Sequence, residues 1–362
     1  MEKKKLIFVI YSLVLQTCYG NQKFFTRVST FPVCKQFEPT CNTNTVTNAE
    51  IVTATADGKT LIYSAGLSNS IGFVDITVPS NPIAKGTIST EGEPTSVSAL
   101  GNKYVLACIN TSTNYINVSG KLIVIDIASK AIVATFELGG QPDSMKVSND
   151  GKYAVIAVEN ERDESLNGGD LPQYPPGYVV VVDIDNITED PQKTWKLTTI
   201  TLAGLPGLDV PSDPEPEFVD INDDNVAAVT VQENNAIVLI DCKSKKVVRS
   251  FTAGSTSVSS VDVIYNKVIE NTGTRTALRE PDGVAWIDKR YFVTADEGDW
   301  KGGTRTFSIF DSNDGQVVFS SGSELELIVT RYGAYPEKRN KKGNEVRFHT
   351  FQLIYLIWFA AG

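Results

Sequence analysis

Histidine is almost missing from this sequence: His349 is the only one in 362 residues, and it stands near the end of the chain. A Ser-His-Asp or Cys-His catalytic set therefore has no place in the body of the protein. A His-ligated zinc or iron site is excluded there for the same reason. Neither a Walker-type phosphate loop nor a dinucleotide fingerprint occurs. Positive charge is in deficit, with 33 Lys and Arg against 43 Asp and Glu and a formal net charge of −10. Such a surface repels phosphate backbones, which argues against nucleic acid as a partner. It leaves cations, basic partners or plain solubility as its uses. Long apolar runs are scarce as well. The two present, residues 6–15 and 351–362, are short for a bilayer-spanning helix.

The first of those runs follows Lys3, Lys4 and Lys5 and precedes the small residues Cys18 and Gly20. This pattern predicts a cleaved signal peptide over residues 1–20, hence secretion, with no stable transmembrane helix after cleavage. Four cysteines then remain. Cys34 and Cys41 are disulfide candidates in an N-terminal segment, residues 21–44. Cys108 and Cys242 either pair or lie buried as free thiols on strands. Asn110, Asn117 and Asn186 each open a glycosylation sequon.

With 41% hydrophobic and 21% charged residues, the chain has the composition of a folded protein. A repeat runs through residues 45–345. One copy reads Ala56-Asp57-Gly58-Lys59, then an apolar run, then Phe73-Val74-Asp75. Another reads Asn149-Asp150-Gly151-Lys152, then Val181-Val182-Asp183. Asp-Gly pairs make tight turns between strands, and the runs that follow are rich in β-branched residues. Asp75, Asp126, Asp183, Asp241 and Asp311 close the third strand of successive units, at spacings of 51, 57, 58 and 70 residues. The prediction is an all-β chain, a β-propeller of four-stranded blades, here incomplete with about five of them. Residues 323–332 are expected to form a short helix. Residues 346–362 form a hydrophobic tail unlike any blade strand.

Carboxylates recur at matching points of the repeat. Glu93-Pro94, Gln141-Pro142-Asp143, Glu215-Pro216-Glu217 and Glu280-Pro281-Asp282 each open a blade. A second set follows the next strand: Glu159, Glu161, Asp163 and Glu164, then Glu233, then Asp296, Glu297 and Asp299. In a propeller these points face the central axis. Either the acids converge there, where hard oxygen donors suit Ca²⁺, or they bond to backbone N–H groups in turns. On the first reading the metal ligands are Glu215, Glu217, Glu233, Glu280, Asp282, Glu297 and Asp299. The insertion at 163–177 places Tyr174 between prolines, either over the channel mouth or on a surface loop.

The stretches Pro142-Asp-Ser-Met-Lys-Val, Asn160-Glu-Arg-Asp-Glu, Leu171-Pro-Gln-Tyr-Pro-Pro-Gly, Glu215-Pro-Glu-Phe-Val, Val231-Gln-Glu-Asn-Asn and Thr294-Ala-Asp-Glu-Gly-Asp resemble the choice-of-anchor I family. That family includes mesenchyme-specific cell-surface glycoproteins of biomineralising animals. The resemblance implies a seven-bladed, lactonase-like (YVTN-type) propeller, an extracellular or cell-surface location and a link to calcium mineral. It also implies further blades after Lys342-Gly343-Asn344-Glu345, so these 362 residues are expected to hold only part of that propeller. The expected function is that of a secreted or cell-surface binding or structural glycoprotein whose partner is Ca²⁺, another cation or a matrix or mineral component. The alternative is a metal-dependent secreted hydrolase of phytase, esterase or lactonase type, with Glu297 as base.

Overall fold

The computed structural model describes residues 27–333, apart from 39, 42–45, 186, 188, 265, 267 and 299. The expected signal peptide (1–20), the tail (346–362), His349, the Asn186 sequon and Asp299 lie outside the described residues.

Five four-stranded antiparallel sheets follow one another along the chain. Blade 1 holds β1 (Val52–Ala54), β2 (Thr60–Ala65), β3 (Ser70–Asp75) and β4 (Ile83–Ser89). Blade 2 holds β5 (Glu93–Leu100), β6 (Tyr104–Asn110), β7 (Gly120–Asp126) and β8 (Ile132–Glu137). Blade 3 holds β9 (Pro142–Val147), β10 (Tyr153–Val158), β11 (Tyr178–Asp183) and, after the single-turn helix α1 (Pro191–Thr194), β12 (Lys196–Thr201). Blade 4 holds β13 (Pro216–Ile221), β14 (Val226–Val231), β15 (Ala236–Asp241) and β16 (Lys246–Thr252). A two-stranded hairpin intervenes, β17 (Ser255–Val261) with β18 (Gly273–Leu278). Blade 5 holds β19 (Pro281–Trp286), β20 (Tyr291–Asp296), β21 (Thr306–Asp311) and β22 (Val317–Ser320). The hairpin accounts for the long last spacing of the repeat. The helix α2 (Glu324–Arg331) follows where a short helix was expected.

The turn chemistry works as the sequence predicts. Between first and second strands, Gly58, Gly101 and Gly151 take φ of 66°, 63° and 69°, and Asn225 takes 60° in the fourth blade. This is the left-handed region that glycine and asparagine enter at least cost. In the first blade Asp57 Oδ1 accepts from Lys59 N at 3.1 Å and Thr55 Oγ1 at 2.7 Å. Asp150 repeats this with Lys152 N at 3.1 Å and Ser148 Oγ at 2.8 Å. The aspartates that close the third strands hold the following turn: Asp75 accepts from Thr77 N, Asp126 from Ser129 N and Asp241 from Ser244 N.

The apolar core lies between blades. Middle strands bury both faces, which is why their sequences are continuous hydrophobic runs such as Val179 to Val182. Ile62, Phe73, Val105 and Ile123 fill the gap between blades 1 and 2. Leu106, Leu122, Ile156, Val180 and Trp195 fill the next. Val179, Val181, Val229 and Val238 lie between blades 3 and 4. Leu239, Trp286, Phe292 and Phe310 lie between blades 4 and 5. Cys108 and Cys242 sit in these layers as free, buried thiols.

The innermost strands, β1, β5, β9, β13 and β19, lie side by side in an open arc. In β5, β9, β13 and β19, one or two backbone N–H groups donate to side chains of the preceding blade. Thr53 Oγ1 accepts from Ala99 N at 3.1 Å. Ser96 Oγ and Ser98 Oγ accept from Met145 N and Val147 N, each at 3.1 Å. Ser144 Oγ accepts from Val219 N at 3.2 Å, and Asp220 Oδ2 from Trp286 N at 2.7 Å. A buried donor left without such a partner costs about 1–3 kcal/mol, so this seam aligns each blade on its predecessor.

Two attachments flank the blades. Cys34 and Cys41 are disulfide-bonded, as the sequence suggested. The adjacent Gln36 ties this segment to blade 1, donating to Phe73 O and accepting from Gly86 N, both at 2.8 Å. At the other end, the buried Glu326 of α2 accepts from Asp262 N at 2.8 Å and from Arg305 Nη1 at 3.0 Å. Among the described residues no helix is long and apolar enough to cross a membrane.

Candidate functional site

A cavity of about 330 Å³ opens at the starts of the innermost strands. Two tiers of side chains line it. The first comes from the residue after each strand-opening proline: Thr95 in blade 2, Asp143 in blade 3, Glu217 in blade 4 and Asp282 in blade 5. The second comes from the ends of the second strands: Glu159, Glu161, Arg162 and Glu164 after β10, Gln232 and Glu233 after β14, and Glu297 after β20. Eight carboxylates thus surround one guanidinium.

Strand geometry explains which acids enter. In a regular strand residues two apart share a side, but the ladders are irregular between Pro216 and Val219 and between Pro281 and Val284, and Glu280 stands before its strand at φ 44°, so the residues before and after these prolines diverge. Glu217 and Asp282, after the proline, reach the cavity. Glu280, before it, is fully buried and accepts from Trp300 N at 3.0 Å and Lys301 N at 2.7 Å. There it holds the loop after β20. Gln141, in the same position in blade 3, donates to Glu161 Oε2 at 3.2 Å. Glu215 is buried behind the cavity wall and accepts from Arg162 Nη1 at 3.3 Å. Of the seven acids the sequence singled out, Glu217, Glu233, Asp282 and Glu297 therefore meet in the cavity. Glu215 adjoins it through Arg162, Glu280 faces the loop after β20, and Asp299 lies outside the described residues. Asp143, Glu159, Glu161 and Glu164 had been placed in the recurring acidic sets but not among the seven.

Arg162 is the residue that reasoning about acids missed. It is buried, donates from Nη1 to Glu233 as well as Glu215, and from Nε to Gly169 O at 3.1 Å. Its Nη2 lies 3.7 Å from Glu164. Gln232, with its amide group turned toward the acid, donates to both oxygens of Glu217 at 2.6 Å.

One guanidinium does not balance this many carboxylates in a poorly solvated space, and their proton affinities rise accordingly. Burial, with Glu161, Glu233 and Glu93 nearby, pushes Asp143 up to about 7. Burial, then repulsion from Asp143 and Glu233, holds Glu159 well above the ordinary carboxylate range. Burial, then Glu233 and Asp282, does the same to Glu217. Burial and Glu233 push Glu215 up to about 9 in spite of Arg162. At neutral pH several of these carboxyls therefore keep a proton, and a cation entering the cavity would displace it.

The donors are hard oxygens, the type that Ca²⁺ accepts. Their arrangement is looser than an ion needs: no three Asp, Glu, His or Cys side chains among the described residues are grouped tightly enough to hold a metal. The side chains as placed do not fit a directly ligated ion.

The sequence motifs and the fold agree with what comparison with known proteins finds. A family model described as "Choice-of-anchor I domain" matches residues 50–302. Among curated proteins no sequence matches the chain. Among solved structures the chain is similar to hydrazine synthase of Kuenenia stuttgartiensis, at 14% identity and a TM-score of 0.50, over 73% of this chain and 71% of that one. It is similar also to a structure titled "Structure of U3-55K", at 8% identity and a TM-score of 0.50, over 77% of this chain and 66% of that one. At these identities the likeness concerns the fold alone.

Proposed function

The chain belongs to the choice-of-anchor I family, and from this premise we propose that it is a secreted or cell-surface binding glycoprotein whose acidic cavity takes a positively charged ligand. The family is associated with cell-surface and secreted proteins, which supports the location read from residues 1–20. The observation that carries the ligand class is the lining of the cavity, where eight carboxylates face one arginine across about 330 Å³. Ca²⁺ belongs to this proposal as an ion held partly through water, since three direct ligands do not converge. The link to calcium mineral depends on that arm.

The test is calorimetry and thermal melting with CaCl₂ and, separately, with cadaverine. A saturable heat and a raised Tm with either cation, weakened tenfold or more by Glu217→Gln together with Asp282→Asn, support the proposal. Heat and Tm unmoved by both cations at millimolar concentration overturn it.

A hydrolase reading has one observation in its favour. Asp143, at about 7, stands in a cleft where a general acid would be poised. Turnover of a lactone or phosphomonoester panel, lost in Asp143→Asn, would replace the binding role with this one.

A further inference from the structure

The loops that carry the second tier of the cavity also form its rim, and on one side that rim is apolar. These loops join the second and third strands of each blade. In blade 1 the tip is Leu67, 69% exposed; in blade 2 it is Tyr115 and Ile116, the latter 72% exposed; in blade 3 it is Leu166 and Tyr174, the latter 59% exposed. Exposed hydrophobic side chains scattered singly need no explanation. These five share three adjacent loop tips on one face.

The tips are continuous with the acidic wall. Gly66 presses so closely on Glu93 that an added side chain would meet Glu93 Oε1 at 2.7 Å. Glu93 in turn lies within electrostatic reach of Glu50 and Glu161. The Tyr115 hydroxyl feels the negative charge of Glu161, Asp163 and Glu164. Leu166 N donates to Asp163 O at 3.0 Å. The path from Leu67 through Glu93, Glu161 and Tyr115 to Leu166 follows the mouth of the cavity. On the far side the blade 4 turn, residues 232–235, is buried, and the Trp300 ring of blade 5 is covered by Lys301 Nζ at 3.3 Å. Among the described residues the open apolar tips are thus those of blades 1, 2 and 3.

We infer that this face docks a basic segment of another protein, placing one Lys or Arg side chain in the acidic cavity and the apolar residues beside it on Leu67, Tyr115, Ile116, Leu166 and Tyr174. The inference rests on the proposed cation-binding role and names the partner's chemistry. Charge complementarity selects the occupant: an acidic centre opposes an anionic lipid surface and a second acidic copy of this chain, and accepts a basic one. The protein carries its own example of the ligand, since the Arg162 guanidinium already lies among Glu164, Glu215 and Glu233. At about 330 Å³ the cavity stands at the small end of ordinary ligand sites, roughly 300–1,000 Å³, which suits one side chain rather than a folded domain. A guanidinium anchor in a desolvated pocket, ringed by contacts that exclude water, is one anatomy of a binding hot spot.

The test uses the secreted protein with any sugar on Asn117 trimmed by an endoglycosidase, because Asn117 adjoins Ile116. The probes are a capped peptide Leu-Phe-Lys-Leu-Phe, the same peptide acetylated on lysine, and cadaverine. The peptide is expected to bind at least tenfold more tightly than cadaverine, and acetylation to abolish the binding. In Leu67→Ser/Ile116→Ser/Tyr174→Ser, all surface changes, peptide affinity is expected to fall to that of cadaverine while cadaverine binding is unchanged. If cadaverine binds and the peptide gains nothing, or the rim variant keeps the gain, the docking inference is overturned and the cation reading stands. If none of the probes binds, both fall. Rim-dependent binding to phosphatidylcholine vesicles, or a rim-dependent dimer in sedimentation velocity, without peptide binding, also overturns the inference.

Discussion

Raising the pH from 5 to 8 should weaken this protein, and the cause is the cavity. Asp143 holds its proton up to about 7 in the folded chain, whereas an unfolded aspartate releases it near about 3.9. Between those values the native state binds more protons than the unfolded one, so stability falls as pH rises. Of that difference about two units lie above pH 5, or at most about 3 kcal/mol for Asp143 alone, less what water in the cavity screens. Glu159, Glu215 and Glu217 shift in the same direction and steepen the fall. On the acid side the sign reverses. Burial works against Asp150, but hydrogen bonds from Asn225, Ser148 and Lys152 outweigh it and bring it down to about 2. Hydrogen bonds from the following turn lower Asp75, Asp126 and Asp241 as well. Their contribution is present above the unfolded carboxylate range and is lost as pH falls through their folded values. Maximum stability is therefore expected near about pH 4, in the unfolded carboxylate range. Urea unfolding followed by tryptophan fluorescence at pH 5, 6, 7 and 8 measures it. The parent midpoint should fall across the series, and Asp143→Asn should fall less. A parent midpoint that stays level or rises, or an Asp143→Asn series as steep as the parent, would refute the reasoning.

Three further outcomes are expected. Ser96→Ala or Ser98→Ala leaves one buried N–H of β9 without its acceptor and should cost about 1–3 kcal/mol each in urea unfolding; a loss below a few tenths in both would contradict the seam. Glu326→Ala takes the carboxylate from the buried Arg305, leaving the Asp262 carbonyl on Nη1, and should cost about 3–5 kcal/mol at that site, seen as lost hydrogen-exchange protection in residues 324–331 and 255–261; unchanged protection there counts against the attachment. Burial raises both free thiols, Cys242 to about 12, so a thiol reagent at pH 8 should label Cys108 and Cys242 only as fast as the chain unfolds, and immediate labelling would disprove their burial.

Much of the fold was legible because the repeat writes its turns in residues with few alternatives. Asp57-Gly58 and Asp150-Gly151 announce a left-handed turn, and Asp75, Asp126 and Asp241 announce the cap of the next. The hairpin at 255–278 was hidden because β17, Ser-Thr-Ser-Val-Ser-Ser-Val, is polar and reads as a loop. For the cavity, the prolines located the strand openings correctly. What separates Glu217 and Asp282 from Glu215 and Glu280 is the irregular backbone around Pro216 and Pro281, with Glu280 at φ 44°, and strand alternation alone would have put each pair on one side. Arg162 lay inside the family-like stretch Asn160-Glu-Arg-Asp-Glu, but nothing there announced its partners Glu215 and Glu233, 53 and 71 residues away on another blade. The seam hydroxyls were equally silent, since a serine on an inner strand looks the same whether or not a neighbouring sheet donates to it.

The five N–H bonds of that seam run in one direction, each side-chain acceptor upstream and each backbone donor downstream. Half of each fastening is thus inherited with one repeat and half with the next. A blade lifted from this chain and spliced elsewhere would arrive with donors cut for a predecessor it no longer has. Gene duplication can multiply such units only where the copied segment meets a neighbour carrying hydroxyls at matching heights, so the order of these blades is part of what the sequence encodes.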